Sequence, residues 1–329
     1  MLQAVTGADG FIGSHLVEAL VRRGRRVRAL ALYNSQGSWG WLDTLHPDVL
    51  DHVEVVLGDV RDGEQMATFC SGADTVFHLA ALIAIPYSYA APRSYVATNV
   101  EGTLNVLEGV RRAGVRRLVH TSTSEVFGTA LRVPIDEDHP RQGQSPYSAS
   151  KIAADSLVDS FHLSFGVPAV TLRPFNTYGP RQSARAVIPT VVAQIAAGER
   201  TIRLGALDPT RDFNYVTDTV AAFLAVADGE HDVVVGTDFN AGSGREITIG
   251  DLVRTIADVM GVDIEVEADP ARIRPGGSEV MRLLADGSKL HAATGWKPAC
   301  RLEDGLRTTA DWFRDPANLA RYRPNVYTV

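Results

Sequence analysis

Short apolar runs alternate with amphipathic stretches through the first half of this chain. LQAVTG, RVRALAL, VEVVLGD, DTVFHLAA, RRLVHTST and AVTLRPFN read as six strands, each apolar along most of its length. Such runs fit parallel strands buried on both faces, because a half-exposed strand would alternate. Between them, FIGSHLVEALVRRG reads as a helix ending at Gly24, and KIAADSLVDSFHLSFG as another. In NVEGTLNVLEGVRRAG, Val100, Leu104, Leu107 and Val110 share one helical face. Strands alternating with helices predict an α/β fold with a doubly wound parallel sheet. The pattern changes after Asn176. NTYGPRQSARAVIP is rich in turn formers and arginine, VVAQIAAG is helical, and FNYVTDTVAAFLAVAD reads as a return to the first layer. REITIGDLVRTIADVMG then opens a smaller unit. The expected division is a larger domain over 1–175, rejoined around 212–240, and a smaller α/β lobe over 176–329.

Composition narrows the function classes. The 329 residues are 45% hydrophobic and 22% charged, enough to bury a sizeable core. A formal net charge of -7 argues against nucleic acid and against an anionic membrane surface as partners. It leaves room for an anionic small molecule, since a local group of arginines overrides the global sign. No apolar run approaches the ~20 residues that span a bilayer. MLQAVTGADG lacks the basic and apolar layout of a signal peptide, so a cytoplasmic protein is expected. The two cysteines, Cys70 and Cys300, have no metal-like spacing, and no metal site is expected.

The turn between the first strand and first helix carries Gly7, Gly10 and Gly13. Glycines there let backbone approach a pyrophosphate, while the helix N-terminus offers it free N–H groups. That placement points to a Rossmann-type dinucleotide site in the larger domain, although the spacing is G-x-x-G-x-x-G rather than the general G-x-G-x-x-G. An acidic residue for the ribose 2′-hydroxyl is expected at the end of the second strand. Ala31 stands there, followed by Leu32, so neither a carboxylate favouring NAD nor an arginine favouring NADP is present. Asn34 and Ser35 are the ribose candidates and Asp59 the adenine candidate. NAD is favoured and NADP left open.

Tyr147 and Lys151 form Y-x-x-x-K at the start of a helix, which puts both side chains on one face. A phenol is a poor base at its ordinary pKa of ~10. A nearby ammonium favours the phenolate and lets it take a hydroxyl proton during hydride transfer. The run Thr123-Ser124-Glu125 follows the fifth strand, at the sheet edge where α/β ligands bind. A carboxylate before the apolar pair Val126-Phe127 needs a partner or a purpose. His78 and His120 lie in or beside strands and read as packed side chains. Trp39 and Trp41 read as closing a loop over the adenine end.

TGADGFIGSHL, GDVRD, HLAA, TSTSEVFG, SPYSASK, RPFNTYGPRQ and RDFNYVTD together resemble the extended short-chain dehydrogenase/reductases. The resemblance is to the nucleotide-sugar epimerases and dehydratases and runs from Gly7 to about Lys289. With RPGGSEVMRLLADGSK, the Thr-Ser-Glu run is most similar to 4,6-dehydratases of the legionaminic-acid type, acting on nucleotide-linked N-acetylglucosamine. The resemblance implies that Phe11, Ile12, Val60, Leu79, Ala80, Ala81 and Asn99 join the glycines around the cofactor. It implies Thr123 on the sugar 4-hydroxyl, Tyr147 as its base and Glu125 as the base at C5. Asn176, Arg185, Arg211 and Arg274 are the matching diphosphate candidates, and Glu279 the candidate for the nucleotide ribose. Ser124 stands where glucose-type dehydratases carry aspartate, and the same run resembles UDP-glucuronate decarboxylases. A decarboxylase or a 4-epimerase is therefore the alternative, with a non-enzymatic dinucleotide sensor a remote one. The family also implies a homodimer paired through helices around Leu104 and Ile152, and a UDP- or GDP-linked substrate.

Overall fold

Parallel pairing of near-continuous apolar strands requires helices on both faces of the sheet, and the chain supplies them. The computed structural model describes residues 1–324, 326 and 327. Strands β1 (Leu2–Thr6), β2 (Arg26–Leu32), β3 (Val53–Gly58), β4 (Thr75–His78), β5 (Arg117–Thr121) and β6 (Ala169–Pro174) lie in one sheet. The chain then forms β7 (Asn176–Tyr178), β8 (Thr201–Leu204), β9 (Thr210–Tyr215) and β10 (Asp238–Ala241), followed by β11 (Glu246–Thr248) and β12 (Glu265–Ala268). The main sheet has seven strands in the order β10-β6-β5-β4-β1-β2-β3, all parallel. This is a Rossmann-type doubly wound sheet, whose order reverses beside β1 and β4.

Three local features aim the elements at that edge. Helix Phe11–Arg22 buries Leu16, Val17 and Leu20, and Gly24 follows it in a left-handed conformation (φ +73°) that suits glycine. Helix Pro146–Phe165 has proline in its first turn and a reciprocal cap. The Ser148 amide donates to Ser145 Oγ at 3.1 Å, and the Ser145 amide to Ser148 Oγ at 3.0 Å. Arg117, fully buried at the start of β5, donates to the carbonyls of Val226, Ala227 and Gly229 at 2.8, 3.2 and 2.8 Å. It thereby caps the end of helix Val216–Asp228 and ties that helix to the strand bearing His120 and Thr121.

The structure departs from the sequence expectations in several places. A π-helical turn, Val96–Glu101, precedes the helix Gly102–Ala113. The wider turn offsets Val100 from the helix that follows; on that helix Val106, Leu107 and Val110 are buried while Leu104, like Val100, is half-buried. The helix expected at VVAQIAAG begins earlier, at Val187, because Pro189 falls in its first turn, where no amide partner is needed. In the stretch read as a return to the first layer, the strand part β9 pairs with β7 and β11 in a separate sheet, and only the following helix packs against β5 and β6. The strand that rejoins the main sheet is β10. β12 pairs with β8 in a further two-stranded sheet. Trp41 packs against Trp312 and Tyr322, with ring centroids 5.7 and 6.2 Å away, and binds its loop to the helix Leu302–Arg314.

Replacing Arg117 by methionine leaves three carbonyls at the end of Val216–Asp228 without their donor. We expect a loss of about 2 kcal/mol, read as a lower denaturation midpoint at unchanged m-value.

Candidate active site

Gly7 sits at φ +67°, and a Cβ there would lie 2.7 Å from the Ala80 amide nitrogen. At Gly13 a Cβ would lie 2.0 Å from the Gly7 carbonyl oxygen. The turn is therefore a bare backbone surface beside the ends of β1 and β4, and no side chain caps the helix N-terminus at Gly10 among the described residues. Phe11 and Ile12 start that helix half-buried. These features fit a dinucleotide pyrophosphate, which needs close backbone approach and free N–H donors. Thr6 Oγ1 receives the Leu79 and Ala80 amides, both at 3.1 Å, and so holds the β4 end, with Ala81 next in chain, against the turn.

Other predicted cofactor residues are engaged within the protein. Asn34 donates to the Leu32 and Ser38 carbonyls and accepts from the Gln36 and Ser38 amides, so its amide organises its own loop. Ser35 is exposed beside it. Asp59 pairs with Arg61, whose hydrogen bonds hold the carboxyl below its usual range despite some burial. Val60 is buried. Asn99 is buried and brackets Leu82 through amide and carbonyl while donating to Ser150 Oγ at 2.9 Å. It joins the β4 loop to helix Pro146–Phe165, two of its bonds to backbone and one to the Ser150 hydroxyl.

Tyr147 and Lys151 lie together on the buried face of that helix. Burial pushes the Tyr147 phenol well above its usual value; the Thr123 hydroxyl opposes this and the Glu125 charge adds to it. Burial pulls Lys151 down to about 8, with the Asp155 carboxylate opposing. Lys151 Nζ donates to the Thr121 carbonyl at 2.6 Å. Thr123 caps the short turn Ser124–Phe127, its Oγ1 accepting from the Glu125 amide at 3.2 Å. Ser124 is buried and Glu125 half-buried. Thr123, Glu125 and Tyr147 thus share one electrostatic neighbourhood at the C-terminal edge of the sheet.

The opposite wall is cationic. Arg211, at the end of β9 nearest the site, donates to Glu279 Oε1 at 3.1 Å, and Arg274 to the same oxygen at 3.5 Å. Burial lowers the Arg211 guanidinium from its usual value, Glu125 and Glu279 raise it, and Arg274 lowers it again. Glu125, Arg211, Arg274 and Glu279 are therefore neighbours across the cleft. Asn176 Oδ1 is buried without a hydrogen-bond partner among the described residues. Arg185 is exposed, with Ser183 Oγ 3.1 Å from its Nε, and its charge acts on Tyr95.

A family model described as GDP-mannose 4,6 dehydratase matches residues 4–309. The chain belongs to that family. It is 34% identical over 330 residues to the dTDP-glucose 4,6-dehydratase of Xanthomonas campestris pv. campestris strain B100, covering 94% of this chain and 92% of that protein. It is 32% identical over 321 residues to the UDP-glucose 4-epimerase of Mycolicibacterium smegmatis, covering 96% and 99%. Among solved structures, the dTDP-glucose 4,6-dehydratase DesIV of Streptomyces venezuelae, with NAD and TYD bound, superposes with a TM-score of 0.87 at 30% identity, covering 98% and 99%. Both dehydratases and an epimerase thus stand among the relatives of this member of the dehydratase family.

Three groups at the site escape a motif reading. Asp155 lies one helical turn beyond Lys151 and binds His120 Nε2 at 3.1 Å, Ser122 Oγ at 2.7 Å and Arg173 at 3.2 Å. Burial alone would raise its carboxyl, but these partners and Lys151 hold it far below the usual range. Arg173 in turn pairs with Asp238 of β10. Tyr95 presents its ring edge to Tyr147, centroids 6.2 Å apart. The four-residue spacing Tyr147–Lys151–Asp155 was the available signal for the first of these.

A lysine brought down to about 8 is neutral in the folded chain above that pH, while the unfolded chain keeps its proton to ~10.4. The unfolded state then binds more protons between those values, so Lys151 makes stability rise with pH across that window. Lys151→Met should lack the rise. The gap between wild type and variant in denaturant-derived stability should change by up to about 3 kcal/mol between pH 8 and 10.4.

Proposed function

We propose that the protein is a nucleotide-sugar 4,6-dehydratase using NAD, with N-acetylglucosamine linked to UDP or GDP as its substrate. The observation that carries this reading is the neighbourhood of Glu125, which lies close to both Tyr147 and Arg211. A 4-epimerase needs only the tyrosine, its lysine and a hydroxyl partner for the 4-oxygen; a second base facing the sugar has work to do only at C5. NAD, when bound on the glycine turn, supplies a temporary store for one hydride.

Arg211 and Arg274 bind the diphosphate through their planar forks and fix the sugar between the two walls. Thr123 donates to the 4-oxygen and Tyr147 removes the 4-hydroxyl proton. In the free protein burial makes that phenol a reluctant acid, so Lys151 lowers its cost of ionisation by charge. The ketone formed at C4 acidifies the hydrogen at C5, since the resulting carbanion is an enolate. Glu125 takes that proton, and water leaves from C6. Ser124 is a hydroxyl where an acid would protonate the leaving group, so Glu125, having gained the C5 proton, is the proton source for the departing hydroxyl. Return of the stored hydride to C6, with a proton added at C5, would then give the 4-keto-6-deoxy sugar with no net consumption of the dinucleotide. A homodimer would pair the helices that carry Leu104 and Ile152, as the family resemblance implies.

Glu125→Gln keeps the shape and removes the base. Given the substrate, this variant should accumulate reduced nicotinamide absorbance and release no dehydrated sugar, with turnover down by at least about a hundredfold. Normal turnover by the variant, giving an isomer of unchanged mass, would make the protein an epimerase; loss of carbon dioxide from a glucuronate substrate would make it a decarboxylase.

A further inference from the structure

Strand β2 ends without the carboxylate that dinucleotide folds place on the adenosine ribose, since Ala31 and Leu32 occupy its last positions. A carboxylate nevertheless stands there. Asp9, in the middle of the glycine turn, accepts the Leu32 amide on Oδ2 at 3.1 Å. The turn and the strand end are also joined through backbone, Ala8 donating to the Leu30 carbonyl at 3.2 Å. The loop after β2 closes on the same residue. The Trp41 amide donates to the Asp9 carbonyl at 2.9 Å, and a Cβ on Gly40 would lie 3.1 Å from Asp9 Cβ. Asp9 is therefore held from two sides with its carboxyl at the tip of β2.

We propose that Asp9 replaces the missing β2 acid, accepting the ribose 2′-hydroxyl and selecting NAD against NADP. This rests on the dinucleotide reading of the glycine turn. Asp9 belongs to the turn that faces the pyrophosphate, and its carboxyl reaches the strand end that faces the ribose, so one residue spans both subsites. One carboxylate oxygen is committed to Leu32, and its twin is the acceptor for the hydroxyl. A 2′-phosphate would instead meet this negative charge. The cation nearest in chain on the neighbouring strand end, Arg61, is already paired with Asp59 at 2.5 Å. Burial raises the Asp9 carboxyl, and hydrogen bonds from the Leu32 amide and from its own backbone oppose that rise. Holding the strand end alone would require an acceptor and no charge, which separates recognition from a bracket.

The test is titration calorimetry of NAD and NADP against wild type, Asp9→Asn, Asp9→Ala and Arg61→Ala. Asparagine keeps an oxygen for the Leu32 amide and removes the charge. Wild type should prefer NAD, and Asp9→Asn should shrink the NAD-to-NADP affinity ratio by at least about tenfold. Asp9→Ala should shrink it similarly, and the ratio within each variant cancels any general loosening of the turn. An unchanged ratio in Asp9→Asn, or equal loss of both dinucleotides in both Asp9 variants, overturns the proposal and leaves Asp9 as a bracket. A wild type that prefers NADP and loses it in Arg61→Ala also overturns it. Wild type binding neither dinucleotide would instead refute the dinucleotide reading itself.

Discussion

Everything at this site follows from the need to keep a lysine charged where there is almost no water. An isolated ammonium in such a place gives up its proton, and burial has already brought Lys151 down to about 8. Asp155 is the counterweight one turn along the helix. It is buried too, and a lone carboxylate would be costly, so Arg173 and the hydroxyl of Ser122 meet it. Arg173 then needs more than one partner, and Asp238 on β10 provides the second. Asp238 also receives Arg141 at 2.8 Å. One buried cation thus organises a row of charges across the Tyr147 helix, β5, β6 and the last strand of the sheet. Burial lowers the buried pair His78 and His120 from the usual imidazole value, and the same cation lowers both further.

The facing wall solves a different problem. On the proposed reading Arg211 and Arg274 donate to an anion, yet Arg211 is buried with one oxygen of Glu279 between the two. That carboxylate holds the forks in place before the anion arrives, which reduces what must be reorganised on binding. Glu125 belongs to both walls by charge, near the phenol on one side and Arg211 on the other. On the proposed reading, holding a diphosphate and moving protons on the sugar therefore meet at one residue.

Strands β1 to β6 were legible because burial on both faces writes an unbroken apolar run. β10 was not, since Asp-Phe-Asn-Ala is short and half polar, and its polar residues are there to serve Arg173 and neighbouring backbone. The π-helical turn at Val96–Glu101 leaves no mark in a periodicity, and on the helix after it Val106 is buried more fully than Leu104. Glycine turn, Tyr147 and Lys151 were readable because each demands a specific residue type at a specific spacing. Asp155 and Arg173 were not, because a buried ion pair looks in sequence like two ordinary surface charges. Asp9 was visible as a letter in the glycine turn, but its position at the tip of β2 depends on tertiary packing. Asn34 shows the converse: a polar residue in the right loop whose hydrogen bonds all turn inward.

The central claim is that the hydrogen taken from C4 of the sugar is delivered to C6. The direct measurement uses the nucleotide sugar labelled with deuterium at C4 and locates the label in the product by NMR and mass spectrometry. The account predicts a product lighter by one water, with deuterium at C6 and a hydrogen from solvent at C5. Deuterium returned to C4 in an isomer of unchanged mass would contradict it.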